Sequence, residues 1–277
     1  MINSDILKYP YIDRICAPSK SEFVEEYGLP CKPVAILNVM NNWRAMWRWT
    51  ADFFKTQYGS VEVVVNRTDD PNDSLTLSLA EYMDYFVSAI EKDPYYLRGI
   101  PIEGKFSEVS EDYEVPEYLK SWHSRIPANI RPKWSFFYIG PANSSSDMHI
   151  EPLMSNAWNA VISGRKLWLL FPPEQEEFLY SGRVNALKPE FDRYPLFHRA
   201  KPFIYIQNPG EIIFIPSGWW HQVINEQPCI SIAEYFVNEC NVRQVRDYLA
   251  NMRLTDRARQ VITQYIPEIF EGFANPS

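Results

Sequence analysis

Between residues 134 and 236 the chain is a succession of short apolar runs broken by Pro, Gly and Asn. Residues 135–139, 158–162, 167–171, 203–206, 211–215, 221–224 and 230–235 each have the length of a buried strand, and their spacing predicts a double-sheet jelly roll. Upstream the signals alternate. Residues 32–39 and 61–65 read as strands, and residues 50–59 as a short helix with Thr50 as cap and Gly59 as stop. Residues 78–90 open with Ser78 and Glu81 at capping-box spacing and carry Leu79, Met83, Phe86 and Ile90 at helical spacing, so this helix is predicted to bury all four against a sheet. Downstream, residues 242–270 return to helical spacing at Val245, Leu249, Met252, Ala258 and Val261, with a break at Thr255 and Asp256. The pattern predicts a mainly β chain forming one domain, residues 1–277. Its parts are an N-terminal α/β elaboration (1–130), a jelly-roll core (131–238) and C-terminal helices (239–277) that either cap the barrel or pair with a second copy.

Composition narrows the class. With 277 residues and 15% aromatic side chains the chain has material for a sizeable core, and no low-complexity tract or internal repeat interrupts it. A net charge of −8 and a pI near 5.2 make nucleic acid an unlikely partner, because nonspecific affinity for phosphate backbones comes from Lys and Arg. Cys16, Cys31, Cys229 and Cys240 show no C-x-x-C spacing, residues 1–5 lack the start of a secretory signal, and no apolar run approaches the ~18 residues of a membrane span. The expectation is a reduced intracellular protein, cytoplasmic, with a nuclear location left open and no membrane contact.

The candidate chemistry lies in His149, Glu151 and His221. Residues at i and i+2 of a strand project to one side, so His149 and Glu151 can grip one ion together, and an antiparallel partner segment would bring His221 opposite them. Two imidazoles and a carboxylate on one face of an octahedral ion leave three positions open, the arrangement of non-haem Fe(II) oxygenases and unlike a closed four-ligand zinc site. The other two histidines of the described motifs, His123 and His198, sit in polar-aromatic stretches without a spaced carboxylate and read as structural or surface residues.

The segments 149–153, 157–161, 164–168, 171–173 and 214–221 together resemble a JmjC (Jumonji-C, cupin-like) oxygenase, in the arginine demethylase/lysyl hydroxylase branch; Asn42, Trp43, Arg44 and Ala45 with Trp49 and Thr50 resemble the N-terminal region of the same enzymes. The resemblance implies a double-stranded β-helix, Fe(II) and 2-oxoglutarate. By matching position it makes His149, Glu151 and His221 the iron ligands, Lys166 and Tyr96 the partners of the distal 2-oxoglutarate carboxylate, and Asn159 and Ser146 further co-substrate contacts. Two departures stand out: Glu151 where the branch usually has Asp, a change other JmjC enzymes share, and Ala233 where the branch carries a Thr that contacts the co-substrate.

The function expected is hydroxylation of a side chain on a peptide or protein, Lys or Arg among the choices, with N-demethylation as the same reaction on an N-methyl carbon. An acidic surface suits a basic peptide. Two alternatives stay open at this stage: an oxygenase acting on a small molecule, and a JmjC-fold binding module without turnover.

Overall fold

The computed structural model describes residues 7–70 and 72–271, so the reading of residues 1–5 lies outside them. In chain order the N-terminal part forms β1 (Asp13–Cys16), α1 (Lys20–Phe23), β2 (Val34–Leu37), α2 (Ala45–Arg48), α3 (Ala51–Tyr58), β3 (Glu62–Asn66), β4 (Ser74–Ser78), α4 (Leu79–Ser88) and β5 (Leu97–Pro101). The core follows as β6 (Ser135–Gly140), β7 (Asn156–Phe171), β8 (Phe203–Gln207), β9 (Ile212–Ile215) and β10 (Trp220–Phe236), and the chain continues into α5 (Val242–Ala250) and α6 (Asp256–Tyr265). One sheet runs β1-β2-β9-β7-β10-β6-β5 with β8 also on β7, and β3-β4 form a separate ribbon. Its pairings are antiparallel except β1 with β2.

Two of the runs read as separate strands are halves of one. β7 carries β9 along its first half, with Ala157 opposite Ile215, and β8 along its second, with Lys166 opposite Gln207. Gly164 lies between the halves at φ +81°, a conformation that costs only glycine nothing. β10 likewise joins the runs 221–224 and 230–235, with register shifts between Asn225, Gln227 and Ile230 that let the long ribbon bend. The jelly-roll expectation of a cupin-like fold is met by these two strands serving both halves of the roll.

Local signals explain the helices. Thr50 accepts from Phe53 N to start α3, and Ser78 and Glu81 form the complete capping box of α4. Leu79, Met83 and Phe86 are buried as expected, but Ile90 is 94% exposed, because α4 stops at Ser88 and Ala89 turns extended. In α2 and its flanks, Arg48 donates to both oxygens of the buried Asp112 carboxylate at 2.8 Å and Trp49 Nε1 to one of them at 2.8 Å, which ties the N-terminal helices to the segment before β6. Fully buried Phe54, Phe137, Trp158, Phe214 and Phe236 then weld these helices to one face of the sheet. Thr255 caps α6, placing the predicted break correctly, and Val245 and Leu249 pack with Val237 and Ile126 onto the barrel while Met252 stays 42% exposed. All four cysteines are free thiols, and no helix among the described residues is long and apolar enough to cross a membrane.

Candidate metal centre and adjoining pocket

Segment 147–152 is not the strand its spacing suggested. It is extended chain making one antiparallel bridge, in which His149 N donates to His221 O at 3.0 Å and His221 N to His149 O at 2.8 Å. Pro152 ends it, since proline brings no N–H and forces the residue before it out of the helical region, and Glu151 sits at φ −71°, ψ 145°. The alternation survives without the ladder: His149 and Glu151 face the same pocket as His221. One ligand atom from each lies within 4.8 Å of the others, His221 Nε2 is 3.4 Å from Glu151 Oε1, and the imidazole centroids are 4.2 Å apart.

Backbone carbonyls aim both imidazoles in the same way. His149 Nδ1 is 2.8 Å from Asp147 O and His221 Nδ1 is 3.1 Å from Trp219 O; a carbonyl only accepts, so Nδ1 carries the hydrogen and the Nε2 lone pair is presented to the pocket. Burial, reinforced by the His221 charge, pushes the His149 pKa down to about 4, so this ring is neutral at physiological pH. For Glu151 burial opposes ionisation, but its neighbours His221 and His149 outweigh it and hold its pKa below the usual carboxylate value. A neutral His149 and an ionised Glu151 are protonation states that suit a metal. Glu151 Oε2 is buried without a hydrogen-bond partner, which a bound cation would supply.

Lys166 fills the other end of the pocket. It is 2% exposed, and its Nζ donates to Asn225 Oδ1 at 2.8 Å and Tyr96 Oη at 3.4 Å. Burial works to lower its pKa, yet the facing Cys229 and Tyr96 leave it raised, so the ammonium is charged. Among the described residues Lys166 makes no ion pair. A buried cation held by neutral groups alone is costly, and an anionic ligand would compensate it. Asn159 adds a buried Oδ1 without a partner, and Ser146 Oγ accepts from Val223 N at 3.1 Å. The donor set therefore fits a hard divalent metal beside a small acid that carries a second negative charge.

All seven residues singled out from the sequence, with Ala233, line this one pocket. Asn225, Arg98, Tyr138 and Tyr235 line it too and escaped the sequence reading. Asn225 carried a usable signal, because it lies four residues after His221 on the same strand and so on the same face. Trp219 and Trp220 are packing residues: the Trp219 indole donates to Cys31 O at 2.9 Å, and Trp220 joins the cluster around Met148. His198 is on the surface, and His123 is buried and stacked on Trp134, away from the metal ligands.

A family model described as a cupin-like domain matches residues 19–241. The chain is 30% identical over 254 residues to the arginine-specific demethylase JMJ22 of Arabidopsis thaliana, covering 88% of this chain and 49% of that protein. It is 28% identical over 274 residues to the bifunctional arginine demethylase and lysyl-hydroxylase psr-1 of Caenorhabditis elegans, covering 90% and 67%. It is 32% identical over 261 residues to the 2-oxoglutarate and iron-dependent oxygenase JMJD4 of Gallus gallus, covering 84% and 61%. The chain thus spans about half to two thirds the length of these curated relatives.

Proposed function

The chain belongs to the cupin-like domain family in its JmjC form, and from that premise we propose that it is an Fe(II)- and 2-oxoglutarate-dependent oxygenase that hydroxylates a Lys or Arg side chain of a protein, or demethylates one by the same reaction. The observation that carries the reading is the juxtaposition in one pocket of the His149, Glu151 and His221 ligand atoms with the uncompensated ammonium of Lys166.

When bound, iron and 2-oxoglutarate supply the oxidising power that puts one atom of O₂ into a substrate C–H bond and the other into succinate, with release of CO₂. The protein's own contribution is positional. His149 Nε2, His221 Nε2 and a Glu151 oxygen would hold the iron. Lys166 and Tyr96 hold the distal carboxylate, Asn159 and Ser146 border the acid, and Asn225 fixes the lysine. Arg98 lines the pocket and pairs at 3.7 Å with the exposed Asp147, two residues before His149. Hydroxylation of a chain carbon leaves an alcohol, whereas hydroxylation of an N-methyl carbon leaves a hemiaminal that collapses to formaldehyde and the free amine. If the C-terminal helices pair with a second copy of the chain, the exposed Tyr248 on α5 and Met252 just beyond it are available to that contact.

The test is an anaerobic titration of Fe(II) with and without 2-oxoglutarate, read by the visible iron-to-keto-acid charge-transfer band, followed by mass spectrometry of Lys- and Arg-bearing peptides. The band is expected in the wild type and absent in His149→Ala. Iron binding without the band in the wild type refutes the co-substrate assignment, and turnover confined to small molecules refutes the protein substrate.

A further inference from the structure

Ala233 and Glu234 are neighbours on β10 and, by the alternation of a strand, face opposite sides of the sheet. Ala233 lines the metal pocket. Glu234 lines a second cavity of about 620 Å³ on the other face, which reaches the surface between the end of β5 and the start of β6 and takes no part in the proposed reaction. Three polar atoms in its lining are buried and without a hydrogen-bond partner: Glu103 Oε2, Glu234 Oε2 and His123 Nε2. Buried polar atoms are nearly always paired, so three orphans in one cavity point to a missing partner rather than to chance.

With Glu234 ionised, above about pH 7, all three orphans are acceptors. His123 is 7% exposed, and its ring hydrogen-bonds the Pro132 carbonyl, which can only accept; that bond takes the N–H and leaves a lone pair on Nε2. Ser135 already satisfies part of the Glu234 carboxyl. Neither Glu103 nor Glu234 forms an ion pair among the described residues; of the two cations in the lining, Arg131 has its guanidinium engaged with Ser124 O at 3.1 Å and Lys120 is exposed. The walls include Tyr113 and Trp134, the latter stacked on His123 with ring centroids 4.3 Å apart. Acceptors, negative charge and aromatic rings together are the lining of an organic-cation site.

We propose that this cavity binds an alkylammonium or guanidinium group, whose N–H donors reach Glu103, Glu234 and His123 between the aromatic walls. A metal ion matches less well. Among the described residues the one His and carboxylate triad with ligand atoms within 4.8 Å of one another is His149, Glu151 and His221. Glu103, Glu234 and His123 are not such a group, whereas two acceptors each about 2.8 Å from one nitrogen can be up to roughly 5.6 Å apart. The cation has two sources, a free amine or a basic side chain on another protein.

Calorimetric titration of the full chain with n-butylammonium, n-butylguanidinium, neutral n-butanol and Nα-acetyl-lysine N-methylamide tests it. Saturable binding of the cations and none of the alcohol is expected, with affinity about tenfold or more weaker in Glu234→Gln and in Glu103→Gln, the loss of one charge-assisted hydrogen bond. His221→Ala should bind as the wild type does, which separates this cavity from the metal pocket. Equal affinity for butylammonium and the lysine derivative assigns the site to free amines; a derivative bound about tenfold tighter assigns it to a protein side chain. No saturation by about 10 mM, a weak Kd by any measure, overturns the proposal. So does undiminished binding in both Gln variants, each shown folded by circular dichroism, or loss of binding in His221→Ala.

Discussion

Asn225 Oδ1 accepts from Lys166 Nζ at 2.8 Å, and the two residues lie directly opposite each other on β10 and β7. The Asn225 amide also donates to Ser144 Oγ at 2.8 Å and to Gly140 O at 3.3 Å, so it is anchored on one side and anchors the ammonium on the other. Lys166→Met keeps the stem and removes the charge, and should weaken 2-oxoglutarate binding about 100-fold. Asn225→Ala, which frees the ammonium without removing it, should weaken binding about tenfold. Both should leave Fe(II) affinity unchanged, and anaerobic calorimetry measures both quantities.

Loading the metal centre should stabilise the fold. Fe(II) at about 100 times its Kd contributes about 2.7 kcal/mol, which for a chain of this size raises Tm by about 5–10 °C. A chelator should reverse the shift. Glu151→Ala should show none, because the carboxylate whose Oε2 lacks a partner supplies the only negative ligand of the triad.

Ala233 lines the pocket opposite Asn159, where a hydroxyl would be within the cavity. Ala233→Thr should tighten 2-oxoglutarate binding by about fivefold, the worth of one net hydrogen bond of about 1 kcal/mol. Ala233→Val has the same branching without the hydroxyl and should give no gain. Equal effects of the two substitutions would mean that shape, not hydrogen bonding, governs the position.

Burial raises the Glu234 pKa to about 7, well above the ordinary value of 4.5. Between those pH values the folded chain holds a proton that the unfolded chain has released, so the Glu234 contribution to stability falls as pH rises from about 4.5 to 7. His123, pushed down to about 4 chiefly by burial, acts the other way: the unfolded chain takes up a proton first as pH drops below 6.5, so its contribution is lost toward acid. Glu234→Gln removes the first slope and keeps the second. Relative to the wild type this variant should gain about 3 kcal/mol between pH 4.5 and 8 in urea unfolding, and parallel pH profiles would refute the assignment.

Gly164 sits at φ +81°, and a Cβ there would collide with the Pro228 carbonyl and Cys229 Cα. Gly164→Ala should therefore cost about 2 kcal/mol or more, combining left-handed strain with the clash against main chain that cannot rotate away. Thermal unfolding reads the loss.

Most strands, the caps and the candidate metal cluster were legible because each rests on local chemistry. Thr50 and Ser78 cap helices wherever they fall at the right offset, Thr255 marks the break before α6, and His149, Glu151 and His221 are residue types whose spacing alternation makes meaningful. What was not legible depends on distant partners. Nothing near Ile90 announces that α4 stops two residues before it, nothing near Pro152 says that the His149 segment will make a bridge instead of a strand, and the union of the runs 158–162 and 167–171 depends on both β8 and β9 docking along β7. Asn225 shares the face of His221 by local alternation, but the lysine it holds lies 59 positions away in sequence.

The pairing of β7 with β10 also makes the barrel a ruler. His221 lies opposite Leu170 and Asn225 opposite Lys166, so the separation of the metal ligand from the buried ammonium is set by four residues of strand, about 13 Å of backbone rise, and not by any flexible loop. Sliding one strand by two residues would keep every side chain on its proper face yet change that interval by about 7 Å. Hydrophobic patterning alone would tolerate such a slip; the length of acid the pocket admits would not.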